Sequence, residues 1–246
     1  MRLLSYNIRF GGRGRELALT SVIRAVEPDV VLLQEATHPA VIQDLSRATS
    51  LPHWGSRPEH SMGYLSRFPV RHVVWHRPLN ARHAFLELDV EEVACRIFGL
   101  HLVAWFSKWT ERKRARELRA LLEGIREHQH GFHLIAGDFN ALAPGELLEV
   151  QRMPRWIRAM VWLSGRDISR ETIQLMLDEG YVDTWRRLHP SGPGYTFPTW
   201  DPHVRLDYAF VPSAFAERVV VSEVLLAPES VIREASDHAP LLVEVR

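Results

Sequence analysis

Seven residues in this sequence have the side chains and the placement to do chemistry together. Asn7 ends the run LLSYN, Glu35 follows VVLLQ, and Asp138 and Asn140 follow HLIAG. Asp207 opens DYAFV within RLDYAFV, and Asp237 and His238, in SDH, stand just before PLLVEV. Amide and carboxylate oxygens and one imidazole therefore sit at the tips of separate apolar runs. Hard divalent cations such as Mg2+ prefer oxygen donors of this kind. A phosphodiester carries negative charge that repels hydroxide, so its hydrolysis needs a cation to neutralise charge and a group to orient or deprotonate water. Asn7, Glu35, Asp138, Asn140 and Asp237 offer the oxygens. His238 offers the imidazole, and Asp207 is a suitable partner to hold its tautomer. Each residue taken alone has a plainer reading: a polar strand end at Glu35, a turn or helix cap at GDFN and SDH, a structural acid at Asp207. Their joint arrangement carries the argument.

These positions require elements that hold strand tips side by side. Runs of strand length and composition occur at residues 2–8, 30–34, 95–103, 132–136, 206–211 and 240–245, bounded by Gly, Pro, Asp or Asn. Helical spacing appears between them. Residues 16–26 place Leu17, Val22, Ile23 and Val26 at helical intervals before Pro28, and residues 110–128 place Leu118, Leu121, Leu122 and Ile125 on one face, with Gly124 weakening the pattern. Alternating strands and helices predict a layered α/β fold, in which strand tips are a common place for sites. No fixed-period repeat or low-complexity linker is present, so one domain over residues 1–246 is expected. Residues 146–180 lack strand-like runs and read as a helical insertion.

The composition sets outer bounds. The 246 residues are 46% hydrophobic and 24% charged, typical of a soluble globular chain. Lys+Arg and Asp+Glu number 30 each, so no global charge pulls the chain toward nucleic acid or acidic membranes. The single cysteine, Cys95, lies in an apolar context that reads as a buried strand position, and a reducing compartment is the simpler expectation. No apolar stretch approaches the ~20 residues that span a bilayer, and the N-terminal apolar run is broken by Asn7 and Arg9. A cytoplasmic location is expected, and nothing calls for an obligate protein partner.

The ordered set SYNIRF, VVLLQE, GYLSRFP, GLHL, GDFN, RLDYAFV and SDHAPL resembles the endonuclease/exonuclease/phosphatase superfamily. That superfamily includes apurinic-site endonucleases, pancreatic-type deoxyribonucleases, inositol-polyphosphate phosphatases and neutral sphingomyelinases. GDFN or SDH alone is nonspecific, whereas seven motifs in this order, from residue 1 to 246 with an interruption near 146–180, are a strong signal. The resemblance implies a four-layer α/β sandwich, with two central mixed β-sheets flanked by helices. It implies Glu35 as principal metal ligand with Asn7 close by, and Asp138 and Asn140 positioning water or phosphate. Asp237 then lies near the metal, His238 faces the phosphate and Asp207 orients it. His101, in GLHL, matches a second histidine that contacts phosphoryl oxygens or assists the leaving group. The implied cofactor is Mg2+, with Mn2+ as a substitute.

The implied activity is phosphodiester hydrolysis by in-line attack of an activated water, with nucleic acid the leading substrate. The alternatives are a phosphatase or phospholipase-like hydrolase of a lipid headgroup or small metabolite, and an inactive binding or scaffold relative. The chain departs from the apurinic-endonuclease pattern after Asn7, where IRFGG lacks the glycine-and-acid signature of many such enzymes. That counts against abasic-site repair. Two segments bear on substrate. Arg152, Arg155, Arg158, Arg166 and Arg170 surround Trp156 and Trp162, with Asp167 the sole acid among them. The pattern suits nucleic-acid contact, a membrane surface, or a helix with its tryptophans in the core. Residues 194–205 precede Asp207, so Tyr195, Phe197, Trp200 and His203 are candidates to touch substrate, with packing the competing explanation. His53, His60 and His72 carry no ligand spacing.

Overall fold

The computed structural model describes residues 1–246 apart from 80, 94, 147–148, 154, 156–157, 160–161 and 163–167. Trp156, Arg166 and Asp167 thus lie outside the described residues. Among the described residues, twelve strands form two mixed six-stranded sheets. The first contains β1 (Arg2–Asn7), β2 (Val30–Gln34), β3 (His53–Ser56), β4 (Met62–Ser66), β11 (Val219–Val224) and β12 (Leu241–Val245), in the order β11-β12-β1-β2-β4-β3. The second contains β5 (Val70–His76), β6 (Phe85–Val90), β7 (Arg96–His101), β8 (His133–Asp138), β9 (Tyr181–Asp183) and β10 (Asp207–Pro212), in the order β5-β6-β7-β8-β10-β9. Helices bounded within the described residues are α1 (Glu16–Val26), α2 (Pro39–Thr49), α3 (Lys108–Gly124), α4 (Glu171–Asp178), α5 (Thr184–Leu188) and α6 (Glu229–Ala235).

Side chains alternate along each strand, and this alternation creates the layers. Leu3, Val30, Leu32 and Val243 of the first sheet share one core with Leu86, Leu88, Ile97, Leu134, Ala136 and Ala209 of the second. The intervening residues Leu4, Tyr6, Val31 and Leu33 face outward onto Leu19, Val22 and Ile23 of α1, Ile42 and Leu45 of α2, and Ile232 of α6. On the other side, Phe98, Ile135 and Phe210 pack against Leu118, Leu121 and Leu122 of α3 and Ile173 and Met176 of α4. The molecule is therefore the four-layer α/β sandwich expected from the motifs.

Two parallel pairs, β1–β2 and β7–β8, are joined through α1 and α3, the crossover that parallel neighbours need. Helix α3 starts two residues earlier than its apolar spacing indicates, because Ser107 and Thr110 form a reciprocal capping box. It stops at Gly124, after which residues 126–128 make a separate 3-10 turn. Gly137 adopts φ 151°, and a Cβ there would run into the Leu100 carbonyl, so β7 and β8 approach each other only with glycine at this position. Within the expected insertion, the described residues include a 3-10 turn at Val150–Arg152 and α4. Among the described residues, no helix is long and apolar enough to cross a membrane.

Candidate active site

Strand parity and register bring the polar residues together. Asn7, His101, Asp138 and Asp207 each continue the set that faces the shared inter-sheet core, but at strand ends where that core meets solvent. Cα pairing sets Asn7 beside Gln34, His101 beside Asp138, and Asp207 beside Asp138. Glu35 immediately follows β2, Asn140 stands two residues past the end of β8, and they have φ of 58° and 50°. Asparagine tolerates that left-handed region, whereas a glutamate held there costs about 1–2 kcal/mol, and strain of this kind tends to collect at working sites.

The amide of Asn7 joins the two sheets. Its Nδ2 donates to Glu35 Oε1 at 3.3 Å and to Asp138 Oδ2 at 3.1 Å, and its Oδ1 accepts from the Arg9 backbone at 2.9 Å. Asn7 therefore presents its amino group to the carboxylates and keeps its oxygen for the following turn. Glu35 Oε2 accepts from the Phe10 backbone. Asp138 Oδ1 accepts from the backbone of Asn140 at 2.9 Å, while Asn140 Nδ2 donates to the Leu102 carbonyl at 3.1 Å. Ser236 anchors the SDH turn by donating to the Asn7 carbonyl at 2.7 Å. Asp237 sits at the rim, 19% exposed, with Oδ2 3.3 Å from Arg9 Nε.

His238 Nδ1 donates to Asp207 Oδ2 at 2.8 Å, and its Nε2 lies 3.9 Å from Asp138 Oδ2. His101 Nε2 approaches the same oxygen at 3.6 Å. Asp207 is itself positioned by Thr196, whose hydroxyl accepts from the Leu206 and Asp207 backbones and whose carbonyl accepts from Ala239. Burial of Asp138 disfavours its charge, and with Asp207 nearby this outweighs His238 and the Asn7 and Asn140 hydrogen bonds, pushing its carboxyl up to about 7. Burial works against a charged His238, but Asp207, Asp138 and Asp237 prevail and push it up to about 10. Burial, together with His83 and His238, drives His101 well below the usual histidine range.

Seven of the expected residues thus adjoin one another: Asn7, Glu35, His101, Asp138, Asn140, Asp207 and His238. Asp237 lies beside them across Ser236 and Arg9. Trp200 is 52% exposed and packs edge-on against Phe197, whose ring lies 4.9 Å from that of His238. Tyr195 instead lines a cavity of about 450 Å3 with Glu146, Arg186 and Arg205, to which none of the seven contributes. Arg155 is exposed, and among the described residues no hydrogen bond or ion pair joins it to the site. Sequence reasoning missed Ser61, 2.5 Å from His101 Nδ1, and His83, stacked on His101. His60, buried and stacked on Trp75, stays outside the cluster.

The donor set fits a hard divalent cation. Asp138 is buried with Glu35 adjacent, the two carboxylates sharing the Asn7 amino group, a concentration of acid that a cation would relieve. Asp138, Asp207 and His238 bring ligand atoms within 4.8 Å of one another. However, His238 Nδ1 and Asp207 Oδ2 already bond to each other, which leaves Asp138 and the Glu35 side as the better place for a metal.

A mixed α/β sandwich with carboxylates, amides and two histidines at its open edge is the architecture of phosphoester hydrolases that share this frame. The sequence matches the Endonuclease/Exonuclease/phosphatase family over residues 4–238. The chain belongs to that family and is an enzyme of its phosphoester-hydrolase class. A search of curated proteins finds no match. Among solved structures, an AP endonuclease from Archaeoglobus fulgidus is similar at TM-score 0.77 and 17% identity, covering 100% of this chain and 99% of that one. A 3′ phosphatase (NExo) from Neisseria bound to product DNA hairpin is similar at TM-score 0.75 and 20% identity, covering 100% and 99%. An endonuclease/exonuclease/phosphatase from Beutenbergia cavernae is similar at TM-score 0.73 and 20% identity, covering 100% and 71%.

Proposed function

We propose that this enzyme is a divalent-cation-dependent phosphodiesterase acting on nucleic acid. The observation that carries the reading is the His238–Asp207 pair facing Asp138 across the end of the inter-sheet core, with Asn7 tying Asp138 to Glu35. Two of the similar structures, an AP endonuclease and a 3′ phosphatase bound to DNA, support nucleic acid as the substrate class.

In this reading Glu35, with Asp237 beside it and Asp138 and Asn140 across from it, would hold Mg2+, for which Mn2+ can substitute, while Asn7 orients the Glu35 and Asp138 carboxylates through its amino group. When bound, the cation supplies charge neutralisation at the phosphate. The chain's own residues do the rest. Asp207 fixes the ring of His238 and keeps Nε2 turned toward Asp138. Asp138, held by the Asn7 amide and the Asn140 backbone, faces His238 Nε2 and is placed to take a proton from a water between the two. His101 and Asn140 border the same volume and are placed to hydrogen-bond phosphoryl oxygens. Trp200 at the rim offers a face to a flanking base.

The test is a substrate panel with the purified chain: bis-p-nitrophenyl phosphate, p-nitrophenyl phosphate, a DNA oligonucleotide and phospholipid vesicles, each with Mg2+, Mn2+ or chelator. Mg2+-dependent cleavage of the diester and the oligonucleotide is expected. Preference for the monoester moves the enzyme to the phosphatases, cleavage of phospholipid alone moves it to the phospholipase-like hydrolases, and inertness toward all four substrates favours a scaffold.

A further inference from the structure

The side chains around His101 determine which ring nitrogen carries its proton. Ser61 directly precedes β4 and His101 ends β7, so their contact bridges the two sheets. Ser61 Oγ lies 2.5 Å from His101 Nδ1, and both residues are buried. The Ser61 carbonyl accepts from the Ala36 backbone at 3.1 Å, which holds it against the residue following Glu35. On the other side, the His83 ring stacks on His101 at 4.5 Å and 20°, and its Nδ1 donates to the His101 carbonyl at 2.9 Å. The imidazole is clamped on a face and at one nitrogen.

A hydroxyl has one proton to donate, and a buried donor without an acceptor is costly. Among the described residues, the side chain of Ser61 has a single hydrogen bond, to His101 Nδ1. If Nδ1 carried a proton, the Ser61 hydroxyl proton would have nowhere to go. Nδ1 therefore accepts, and the ring proton sits on Nε2, the atom 3.6 Å from Asp138 Oδ2. His238 is held the opposite way, because its Nδ1 donates to Asp207. The two histidines flank one carboxylate with their Nδ1 atoms in opposite roles, accepting in His101 and donating in His238.

We propose that Ser61 is a positioning residue that locks His101 in the Nε2–H tautomer, making His101 a fixed hydrogen-bond donor to the substrate's phosphoryl oxygen and leaving proton acceptance to the His238–Asp138 side. The assignment of the donor's target rests on the phosphodiesterase reading; the tautomer itself does not.

Long-range proton–nitrogen NMR on the uniformly 15N-labelled full chain, with His101 signals identified by their loss in His101→Asn, reads the tautomer directly. The expected result is a protonated Nε2 and an unprotonated Nδ1, with Ser61→Ala averaging the two. A wild-type ring protonated at Nδ1 overturns the proposal. With bis-p-nitrophenyl phosphate, Ser61→Ala should lower kcat ~10- to 100-fold at little-changed KM, as expected for loosening one donor to the developing charge. Ser61→Thr, which keeps the hydroxyl, should restore most of it. Unchanged kcat in Ser61→Ala overturns the role even where the tautomer is as expected. An inert wild type whose NMR shows the expected tautomer would instead remove the phosphodiesterase reading.

Discussion

At the scale of single residues, the site depends on pairs in which one group sets the state of another. His238 is useful only while Asp207 holds its Nδ1, and burial alone would disfavour the charged ring that the surrounding carboxylates stabilise. Asp207→Asn and His238→Ala should each reduce turnover of a phosphodiester at least ~100-fold. Because the pair acts as a unit, the double variant should be no slower than the worse single variant, within about threefold. Additive losses, measured by steady-state kinetics, would show that the two residues act separately. Most of these residues were legible in the sequence, because Asn7, Glu35, Asp138, Asn140 and Asp237 stand at the ends of apolar runs where a polar residue needs a reason. Ser61 and His83 were not legible. HSMGY and RHAF carry no spacing signal, and both residues acquire their role from a neighbour on another strand.

At the scale of elements, alternation decides which strand-end residues reach the site, and apolar alternation is what a sequence displays most clearly. The largely buried strands β1, β2, β8 and β10 were visible as continuous apolar runs, whereas β4, buried along its whole length, was not, because Gly63 and Ser66 break up its apolar residues. Edge strands β3 and β5, half-buried or exposed along their length, and the three-residue β9 lack that contrast. One edge contact has a consequence for stability. His133 on β8 donates from Nδ1 to the Gly131 carbonyl and accepts at Nε2 from the Tyr181 hydroxyl on β9, so it is stored neutral. Burial lowers its pKa below the ordinary histidine value of 6.5. The unfolded chain therefore binds a proton here that the folded one resists, and stability present above pH 6.5 is lost as the pH falls below it. Melting temperatures recorded from about pH 8 to about pH 5 should fall more steeply for wild type than for His133→Gln, whatever the variant's absolute stability. Parallel curves would show that His133 does not contribute to acid sensitivity.

At the scale of the whole molecule, two sheets from distant stretches of chain meet so that residues from 7 to 238 converge at one end of a shared core. The layered class and the alternation of strands and helices could be read beforehand. The strand order β11-β12-β1-β2-β4-β3 could not, because register follows from contacts between distant segments, such as Ser236 with the Asn7 carbonyl. The balanced charge of 30 basic and 30 acidic residues also conceals a local concentration of buried acid at that end. The central claim is that this acid serves a cation during phosphodiester hydrolysis, and Glu35 tests it most directly. Turnover of bis-p-nitrophenyl phosphate should be measured for wild type and Glu35→Gln with Mg2+ and with chelator, alongside their melting temperatures. We expect wild type to be active only with the cation, and an equally well folded Glu35→Gln to be at least ~100-fold slower. Wild-type turnover that survives chelation, or a Glu35→Gln chain as fast as wild type, would contradict the account.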